Sequence, residues 1–161
     1  MRTNVSIEEV EGEEDLATTI KLFEAYAQSL GIDLTFQDFA HELGSMPGKY
    51  APPQGILLLA KAASGDAFGC VGLRPLAGHG YCEMKRLYVA PEGRGLGIGR
   101  ALAERVVQEA RLMAYQAVRL DTLPSMASAR HLYTSLGFRE VEPYYETPIK
   151  GTVFLELDLA R

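Results

Sequence analysis

A glycine-rich turn that opens directly into a long helix is the part of this sequence best suited to bind a ligand. The stretch reads YVAPEGRGLGIGR from Tyr88 to Arg100, with glycines at 95, 97 and 99. Glycine reaches backbone conformations closed to other residues and lets a ligand approach the main chain. Unpaired N–H groups at a helix start favour an anion, usually phosphate, and Arg94 can add charge-assisted hydrogen bonds. We therefore predict that a phosphate-bearing ligand binds here.

Other glycine-rich loops bind phosphate with different spacings. A loop that cradles a nucleoside triphosphate needs GxxxxGK[ST], and no Lys-Ser or Lys-Thr pair follows these glycines. A dinucleotide fingerprint needs GxGxxG inside a parallel strand–helix–strand unit, whereas these glycines alternate as GxGxG after a predicted hairpin. A flexible turn that binds nothing is the structural alternative.

Two motifs, in order along the chain, resemble those of the GNAT acyltransferases. Arg94, Gly97 and Gly99 satisfy the family's R/Q-x-x-G-x-G/A signature. The second family motif, A-x-x-L-Y-x-x-x-G-F, is present as Ala129, Leu132, Tyr133, Gly137 and Phe138. The resemblance covers the order of strands and helices over nearly all 161 residues. It implies a GNAT fold of the α/β (α+β) class, in which a mixed β-sheet of six to seven strands is flanked by about four helices.

The resemblance implies that acetyl-CoA lies where two central strands splay apart. The backbone of the turn would hold the pyrophosphate through Arg94, Gly95, Leu96, Gly97, Ile98, Gly99 and Arg100. The pantetheine would pair with the strand end at Leu87, Tyr88 and Val89 as an added strand does, and Ala129 would border the same site. In the family, the backbone N–H at the position of Leu87 meets the thioester carbonyl and stabilises the developing oxyanion. The side chains of Leu87 and Val89 also fit a core role.

Acetylating an amine requires a deprotonated nucleophile and a proton for the departing thiolate. A primary amine with a pKa of about 10.4 is only about one part in a few thousand neutral at pH 7. By resemblance to the family's histone-modifying members, Glu83, 11 residues before Arg94, is the candidate general base, and its alternative is an ion pair with Lys85 or Arg86. By the same resemblance Tyr133 is the candidate general acid, although its place on a helical stripe also fits a core tyrosine.

One motif position departs from the family pattern. Many members carry an Asn three residues before the motif's alanine, where this chain has Met126. The family's cofactor contact at that position is therefore in doubt, and Ser125 and Ser128 are the candidates to replace it.

Recognition of the acceptor is expected from the variable surface segments, because loops on a rigid scaffold commonly carry it. These segments are the helix pair Leu16 to Leu43, the loop Gly44 to Gln54, and the loop Pro143 to Lys150 with Tyr144, Tyr145 and Glu146. The two tyrosines fit either the wall of an amine pocket or simple packing, and Glu146 is placed to attract the charge of an amine.

Hydrophobic periodicity and turn residues place these motifs on a mixed α/β sheet. The predicted strands are Val5 to Glu9, Ile56 to Ala62, Ala67 to Pro75, Tyr81 to Val89, Val118 to Asp121, Phe138 to Val141 and Val153 to Asp158. The predicted helices are one ending at Gly31, a short one from Phe36 to Leu43, a long one from Gly97 to Gln116, and one ending at Gly137. We predict a single domain over residues 1–161.

Composition and charge narrow the classes of partner. With 47% hydrophobic and 23% charged residues, the chain is typical of a globular protein with one core. Its net charge of −5 argues against nucleic acid as a partner. The longest apolar run, Gly55 to Ala60, is far shorter than the roughly 20 residues that span a bilayer, and the N-terminus is polar. We therefore expect a cytoplasmic protein without a membrane partner.

The cysteines and histidines lack the spacing of metal ligands. Cys70 and Cys82 lie in apolar strands without a CxxC or Cys/His cluster, so we predict buried free thiols and no metal site. His41, His79 and His131 are isolated, and none is expected to have a catalytic role.

Together these patterns predict an enzyme that transfers acetyl from acetyl-CoA to a primary amine of a small molecule or peptide. Direct attack in a ternary complex is expected because neither cysteine stands in the setting of a nucleophile. The alternative from another class is a catalytically silent acyl-CoA-binding sensor or scaffold module. The resemblance also leads us to expect a homodimer. The identity of the acceptor and the length of the acyl chain are not encoded in these patterns.

Overall fold

Seven strands build a mixed β-sheet in the centre of the molecule. The computed structural model describes residues 4–31, 34, 38–78 and 80–160. The strands are β1 (Val5–Glu9), β2 (Ile56–Ala62), β3 (Ala67–Pro75), β4 (Tyr81–Val89), β5 (Ala117–Thr122), β6 (Arg139–Val141) and β7 (Val153–Asp158). Their order across the sheet is β1-β2-β3-β4-β5-β7-β6. Neighbouring strands in this sheet run antiparallel except β4 and β5, which are parallel.

Helices cover both faces of the sheet. They are α1 (Gly12–Leu30), α2 (Phe39–Gly44), α3 (Ile98–Leu112) and α4 (Ala127–Ser135), with short 3₁₀ turns at Gly48–Tyr50 and Pro91–Gly93. The first turn of α1 is acidic, which suits the positive end of the helix dipole, and Gly31 ends the helix in the left-handed conformation with φ of 63°. Helix α3 is the crossover that the parallel pair β4 and β5 requires.

The predicted order of strands and helices is confirmed, and the differences lie at element ends. The long helix stops at Leu112 instead of Gln116, because Ala114 takes a left-handed φ of 65° that no continuing helix allows. Strand β5 is one residue longer at each end than predicted. Strand β6 starts at Arg139, because the N–H of Phe138 still bonds the Tyr133 carbonyl at the end of α4. The short helix starts at Phe39; the predicted start, Phe36, lies outside the described residues.

Strand β4 carries a β-bulge opposite β3. Cys70 pairs with Tyr88 and Gly72 pairs with Lys85, so Arg86 and Leu87 together oppose the single residue Val71. Arg86 takes a positive φ of 62°. Such a bulge bends the strand and redirects its side chains.

The predicted splay of the central strands is confirmed on the other side of β4. The pairing of β4 with β5 covers three positions and ends where Glu83 faces Arg119. Beyond that point β4 continues to Val89 and β5 to Thr122 without pairing to each other. An opening therefore forms between the carboxyl ends of two parallel strands.

The core has a separate cluster on each face of the sheet. On one face, Leu102 and Val106 of α3 pack with Leu58, Val118 and Leu120 of the strands. On the other face, Phe23 of α1 packs with Tyr50, Leu57, Leu59 and Cys70. Because both faces are covered, the apolar residues of β2 are buried regardless of the side to which they point.

The cysteines are buried free thiols, as predicted. Burial raises the pKa of the Cys82 thiol to about 12. The part of the chain that the structure describes holds no group of three or more His, Cys, Asp or Glu side chains able to bind a metal. None of its helices is both long enough and apolar enough to cross a membrane.

Gly72 is predicted to be essential for packing beneath α2. A Cβ at this position would lie 2.6 Å from Cε1 of Tyr50, whose ring is 2% exposed. The hydrogen bond that the Tyr50 hydroxyl donates to Glu42 at 3.0 Å and the packing of its ring against Phe23 oppose a shift of the ring. We expect Gly72→Ala to lower the free energy of unfolding by about 1–3 kcal/mol in a denaturant titration. Gly44→Ala is the control, since its Cβ would meet nothing within 4 Å; an equal loss in both variants would refute the explanation.

Candidate active site

A groove of about 520 Å³ runs along the unpaired end of β4. One wall is formed by Leu87, Tyr88, Val89 and Arg94, and the other by residues 125–129, which end the β5–α4 connection and begin α4. The structure thus brings together five residues that the sequence assigned to the cofactor, since Ala129 lies in the second wall. Tyr26 and Ser29 of α1 also border the groove. Met126, Ser125 and Ser128, the residues discussed for the missing family Asn, line it as well.

The glycine-rich turn lies at the Arg94 end of this groove and opens into α3. Gly95 and Gly97 have positive φ angles of 82° and 76°, and Gly97 immediately precedes the helix. Added Cβ atoms on these two glycines would meet nothing within 4 Å, so the surface of the turn is open. Ile98 is 3% exposed and anchors the helix start in the core. This arrangement presents the N–H groups at the start of a 15-residue helix to an incoming anion.

The two arginines of the turn are placed differently. The guanidinium of Arg94 remains near the strand end, where its Nε donates to the carbonyl of Val89 at 3.4 Å. Arg100 instead turns toward α4 and donates to Oγ of Ser135 at 2.9 Å, with Glu104 3.7 Å away. Of the two, Arg94 is the side chain that lines the groove. Leu96 between them is 44% exposed.

Tyr133 of α4 lies in the core beside the opening. Its side chain packs against Phe138 with ring centroids 5.7 Å apart, and the residue is 6% exposed. Burial raises the pKa of Tyr133, and the charges of Tyr26 and Asp121 raise it further. Both of those residues line the opening between β4 and β5. Tyr133 is therefore protonated at neutral pH, although it lines neither the groove nor the opening between β4 and β5.

Both carboxylate oxygens of Glu83 accept hydrogen bonds from neighbouring side chains. Arg74 donates to its Oε1 from Nε at 3.0 Å, and the hydroxyl of Tyr144 donates to its Oε2 at 2.6 Å. The residue is 2% exposed, and it lines neither the groove nor the smaller cavity described below. Its ion-pair partner is Arg74 and not the neighbouring Lys85 or Arg86. A base role for Glu83 stays a prediction.

Glu42 of α2 anchors two arginines against the sheet. The guanidinium of Arg86 donates to both carboxylate oxygens, at 3.2 and 3.0 Å, and Arg74 lies 3.5 Å away. Burial by itself would raise the pKa of Glu42, but the hydrogen bonds and charges of Arg86 and Arg74 hold it below its ordinary value of 4.5. The Arg86 guanidinium also lies 4.9 Å from the ring centroid of Phe39. Helix α2 is thereby fixed to the bulge of β4.

A smaller cavity lies between the parted strands on the α1 side of the sheet. Its polar lining comes from Lys85 and Arg86 of β4 and from Asp121 and Thr122 of β5. Lys85 Nζ lies 3.6 Å from Asp121 Oδ1, and burial lowers the pKa of Lys85. Tyr26 and Met126 line both this cavity and the groove, so the two spaces adjoin.

The late loop predicted to recognise the acceptor closes this cavity. The hydroxyl of Tyr145 donates a short hydrogen bond to Asp121, and Thr147, Ile149 and Thr152 also line the cavity. Tyr144 packs edge-on against Tyr145, with centroids 5.5 Å apart. Glu146 is exposed.

The predicted loop Gly44 to Gln54 lies elsewhere, beside a separate groove of about 450 Å³ that Glu42 and Arg74 also border. His41 lines that second groove, whereas His131 is exposed on α4. His79 lies outside the described residues.

Comparison with known proteins agrees with this architecture. Residues 18–138 match the Acetyltransferase (GNAT) family. This chain belongs to the GNAT acetyltransferase family. An uncharacterised N-acetyltransferase of Schizosaccharomyces pombe is 43% identical over 159 residues, which cover 99% of this chain and 98% of that protein. The crystal structure of a GNAT-family acetyltransferase from Staphylococcus aureus has the same fold, with a TM-score of 0.79 at 22% identity over 97% of this chain and 99% of that one.

One further relative carries a more specific name. N-acetylaspartate synthetase of Danio rerio is 32% identical over 118 residues, which are 72% of this chain and 42% of that protein. Family membership supports acetyltransferase activity in general for this GNAT protein, because acyl transfer to an amine is the general activity of the family.

Several residues of this GNAT site gave no signal in the sequence. Glu42, Arg74 and Asp121 match no motif, and each acts through a partner more than thirty residues away in the chain. Thr122 could have been flagged only by its place at the end of a strand. The sequence did contain one indication of buried partners. Lys85 and Arg86 lie inside a predicted strand, and a buried strand seldom carries charged residues unless other charged groups pair with them.

Glu42→Gln is predicted to destabilise the protein in a pH-dependent way. The side chain of Arg86 is 1% exposed, so the variant removes the carboxylate that binds its buried guanidinium at both oxygens, a loss of about 3–5 kcal/mol at pH 7. The pKa of Glu42 is lowered in the folded state, so its stabilising contribution is present above pH 4.5 and is lost as the pH falls through the folded pKa. The gap between wild type and variant should therefore shrink in acid.

The measurement is denaturant unfolding at pH 7 and in steps below pH 4.5. Glu104→Gln is the control, because that carboxylate is 57% exposed and its pairing with Arg100 should contribute less than about 1 kcal/mol. A gap for Glu42→Gln that stays constant with pH would contradict the assignment.

Proposed function

We propose that this protein transfers the acetyl group of acetyl-CoA to a primary amine. The observation that supports this most is the continuity of the two spaces, because Tyr26 and Met126 line both the groove and the small cavity. A ligand with its phosphates at the glycine-rich turn can then extend along β4 and end between the parted strands. An amine that enters the cavity from the α1 side would meet that end.

The residues of the groove fit acetyl-CoA by their chemistry. The open turn at Gly95 and Gly97, with Arg94 beside it, suits a pyrophosphate at the start of α3. The unpaired edge of Leu87 to Val89 suits an extended arm that carries amide groups, as an added strand would. Acetyl-CoA supplies an activated acetyl thioester.

The chain's own groups would then act on the thioester and its leaving group. The backbone N–H of Leu87, in the β-bulge, is the proposed donor to the carbonyl oxygen on which negative charge develops. Tyr133 holds a proton for the sulfur, because burial keeps its hydroxyl neutral. Leu87, Val89 and Met126 supply apolar walls that exclude water.

The acceptor is open to test. The relative named N-acetylaspartate synthetase supports placing aspartate among the amines that are screened. Other free amino acids, polyamines and peptide N-termini complete the panel.

Binding of acetyl-CoA is the first prediction. Calorimetric titration of the wild type should give micromolar affinity, and Arg94→Ala with Gly97→Asp should weaken it at least about tenfold, because a cation is lost and a carboxylate is placed where the pyrophosphate binds. Arg139→Ala with Gly12→Asp is the matched control: Arg139 is exposed, and Gly12 has a comparable positive φ of 79° outside the groove. A folded wild type that binds no acetyl-CoA would refute the proposed function.

Removal of the Tyr133 hydroxyl tests whether the protein is an enzyme or a catalytically silent binding module. We expect Tyr133→Phe to lower kcat with the best acceptor of the panel by about 10²-fold or more, while the Kd for acetyl-CoA stays within about twofold. Tyr115→Phe is the control, since its hydroxyl bonds the carbonyl of Gln54 away from the groove. Equal kcat values in the wild type and Tyr133→Phe would remove Tyr133 from the mechanism.

A further inference from the structure

We propose that the small cavity between β4 and β5 is the seat of the acceptor's reacting nitrogen, that Asp121 and Thr122 accept its two N–H groups, and that the protein thereby selects primary over secondary amines. This inference rests on the proposed acetyl transfer and specifies the acceptor that it uses.

The hydroxyl of Thr122 is the first observation. Thr122 is 3% exposed, and within the described residues no group hydrogen-bonds to its Oγ1. A buried hydroxyl without a partner lowers stability, so such groups are rare and call for an explanation. Thr122 lines the cavity at the end of β5, where the strand no longer pairs with β4. A ligand in the cavity would supply the missing partner.

The carboxylate of Asp121 is the second acceptor in the same cavity. Its side chain is 14% exposed, and it is oriented by the hydroxyl of Tyr145 and by Lys85 at 3.6 Å. Each carboxylate oxygen can accept more than one hydrogen bond, so these contacts leave capacity for a ligand's N–H. Because Tyr145 and Lys85 approach from different elements, the position of the carboxylate is fixed before a ligand arrives.

The cavity is accessible to an amine. It is partly open, and Tyr26 and Met126 connect it to the groove. Leu30, Leu34 and Ile149 add apolar side chains to the lining, which suit the carbon chain behind the nitrogen, whereas Tyr145, Thr147 and Thr152 add polar ones.

The number of acceptors matches the chemistry of a neutral primary amine. Such an amine has two N–H groups and one lone pair, and if Asp121 and Thr122 take the two N–H groups, the lone pair is free to attack. A secondary amine has one N–H group and leaves one buried acceptor unpaired. Burial lowers the pKa of Lys85, and the same desolvation would lower the pKa of an ammonium entering beside it, which favours the neutral amine.

The proposed acetyl transfer accounts for every proton that moves. The ammonium releases one proton to solvent on entry, and the neutral nitrogen then forms the C–N bond to the thioester carbon. The C–S bond breaks and the sulfur takes the proton of Tyr133, while Asp121 takes a proton from nitrogen. Asp121 then releases that proton to solvent, and Tyr133 regains a proton from solvent. Each turnover yields the amide, the free thiol and one proton.

The test compares propylamine with N-methylpropylamine, which share the reacting nitrogen and lack other recognition groups. Thiol release at saturating acetyl-CoA gives kcat/KM for each amine in the wild type, Thr122→Val and Thr122→Ser. We expect the wild type to prefer propylamine at least about tenfold, and Thr122→Val to reduce kcat/KM for propylamine at least about fivefold, so that the preference falls towards one. Thr122→Ser should restore the preference, because it restores the hydroxyl.

Thermal unfolding of the variants checks that a loss of rate is not a loss of fold. Since the Thr122 hydroxyl is unpartnered, Thr122→Val should melt at or above the wild-type temperature. An unchanged preference in Thr122→Val, or a wild type without preference, would overturn the inference. A wild type that binds acetyl-CoA but acetylates neither amine would also overturn this cavity as the amine's seat, whereas a wild type that does not bind acetyl-CoA would overturn the proposed function itself.

Discussion

The separation of β4 from β5 beyond Glu83 and Arg119 is the constraint on which the rest of the structure depends. Two parallel strands that stop pairing leave backbone N–H and C=O groups unpaired inside the fold, and buried groups of this kind need partners. An extended ligand that carries amides can provide them along Leu87 to Val89. The bulge at Arg86 and Leu87 leaves further backbone groups unpaired, because it interrupts the hydrogen bonding of β4 to β3 in the part of β4 that no longer pairs with β5.

The opening also brings charge into the interior, and the surrounding elements neutralise it. Lys85 faces Asp121, Arg86 faces Glu42, and Arg74 bridges Glu42 and Glu83. Buried pairs of this kind add little stability relative to apolar packing, but removing one partner is strongly destabilising. Their consequence here is positional. The pairs with Glu42 fix α2 against the sheet, and Glu83 and Asp121 accept the hydrogen bonds of Tyr144 and Tyr145 that hold the loop before β7.

The two ends of the site differ because one is built mainly from backbone groups and the other from side chains. At the α3 end, the proposed anion site consists of backbone N–H groups and Arg94, and it depends on main-chain conformation. At the α1 end, side chains from β4, β5 and the late loop form a polar cavity around Asp121. Tyr133 lies in the core against Phe138, and its raised pKa follows from burial and from the charges of Tyr26 and Asp121. The pKa of Tyr133 is therefore coupled to Tyr26 and Asp121, which line the cavity.

The sequence by itself determined the parts of this protein that are local along the chain. Strand alternation, helix periodicity and the glycines at 31, 95 and 97 act within a few residues. The order of elements and the glycine-rich turn before α3 were therefore predicted, and errors were confined to ends such as Leu112 and Phe138. The motif residues Leu87 to Val89 and Ala129 were found through the resemblance, and the structure brings them to one groove.

Only the tertiary structure decided which charges meet. The partners of Glu83 are Arg74 and Tyr144, the latter 61 positions away, and Asp121 receives Tyr145 from a loop 24 residues later. The unpartnered hydroxyl of Thr122 exists only because the walls close around it. Side-chain contacts between distant segments depend on how whole elements pack, and a spacing along the chain carries no information about that packing.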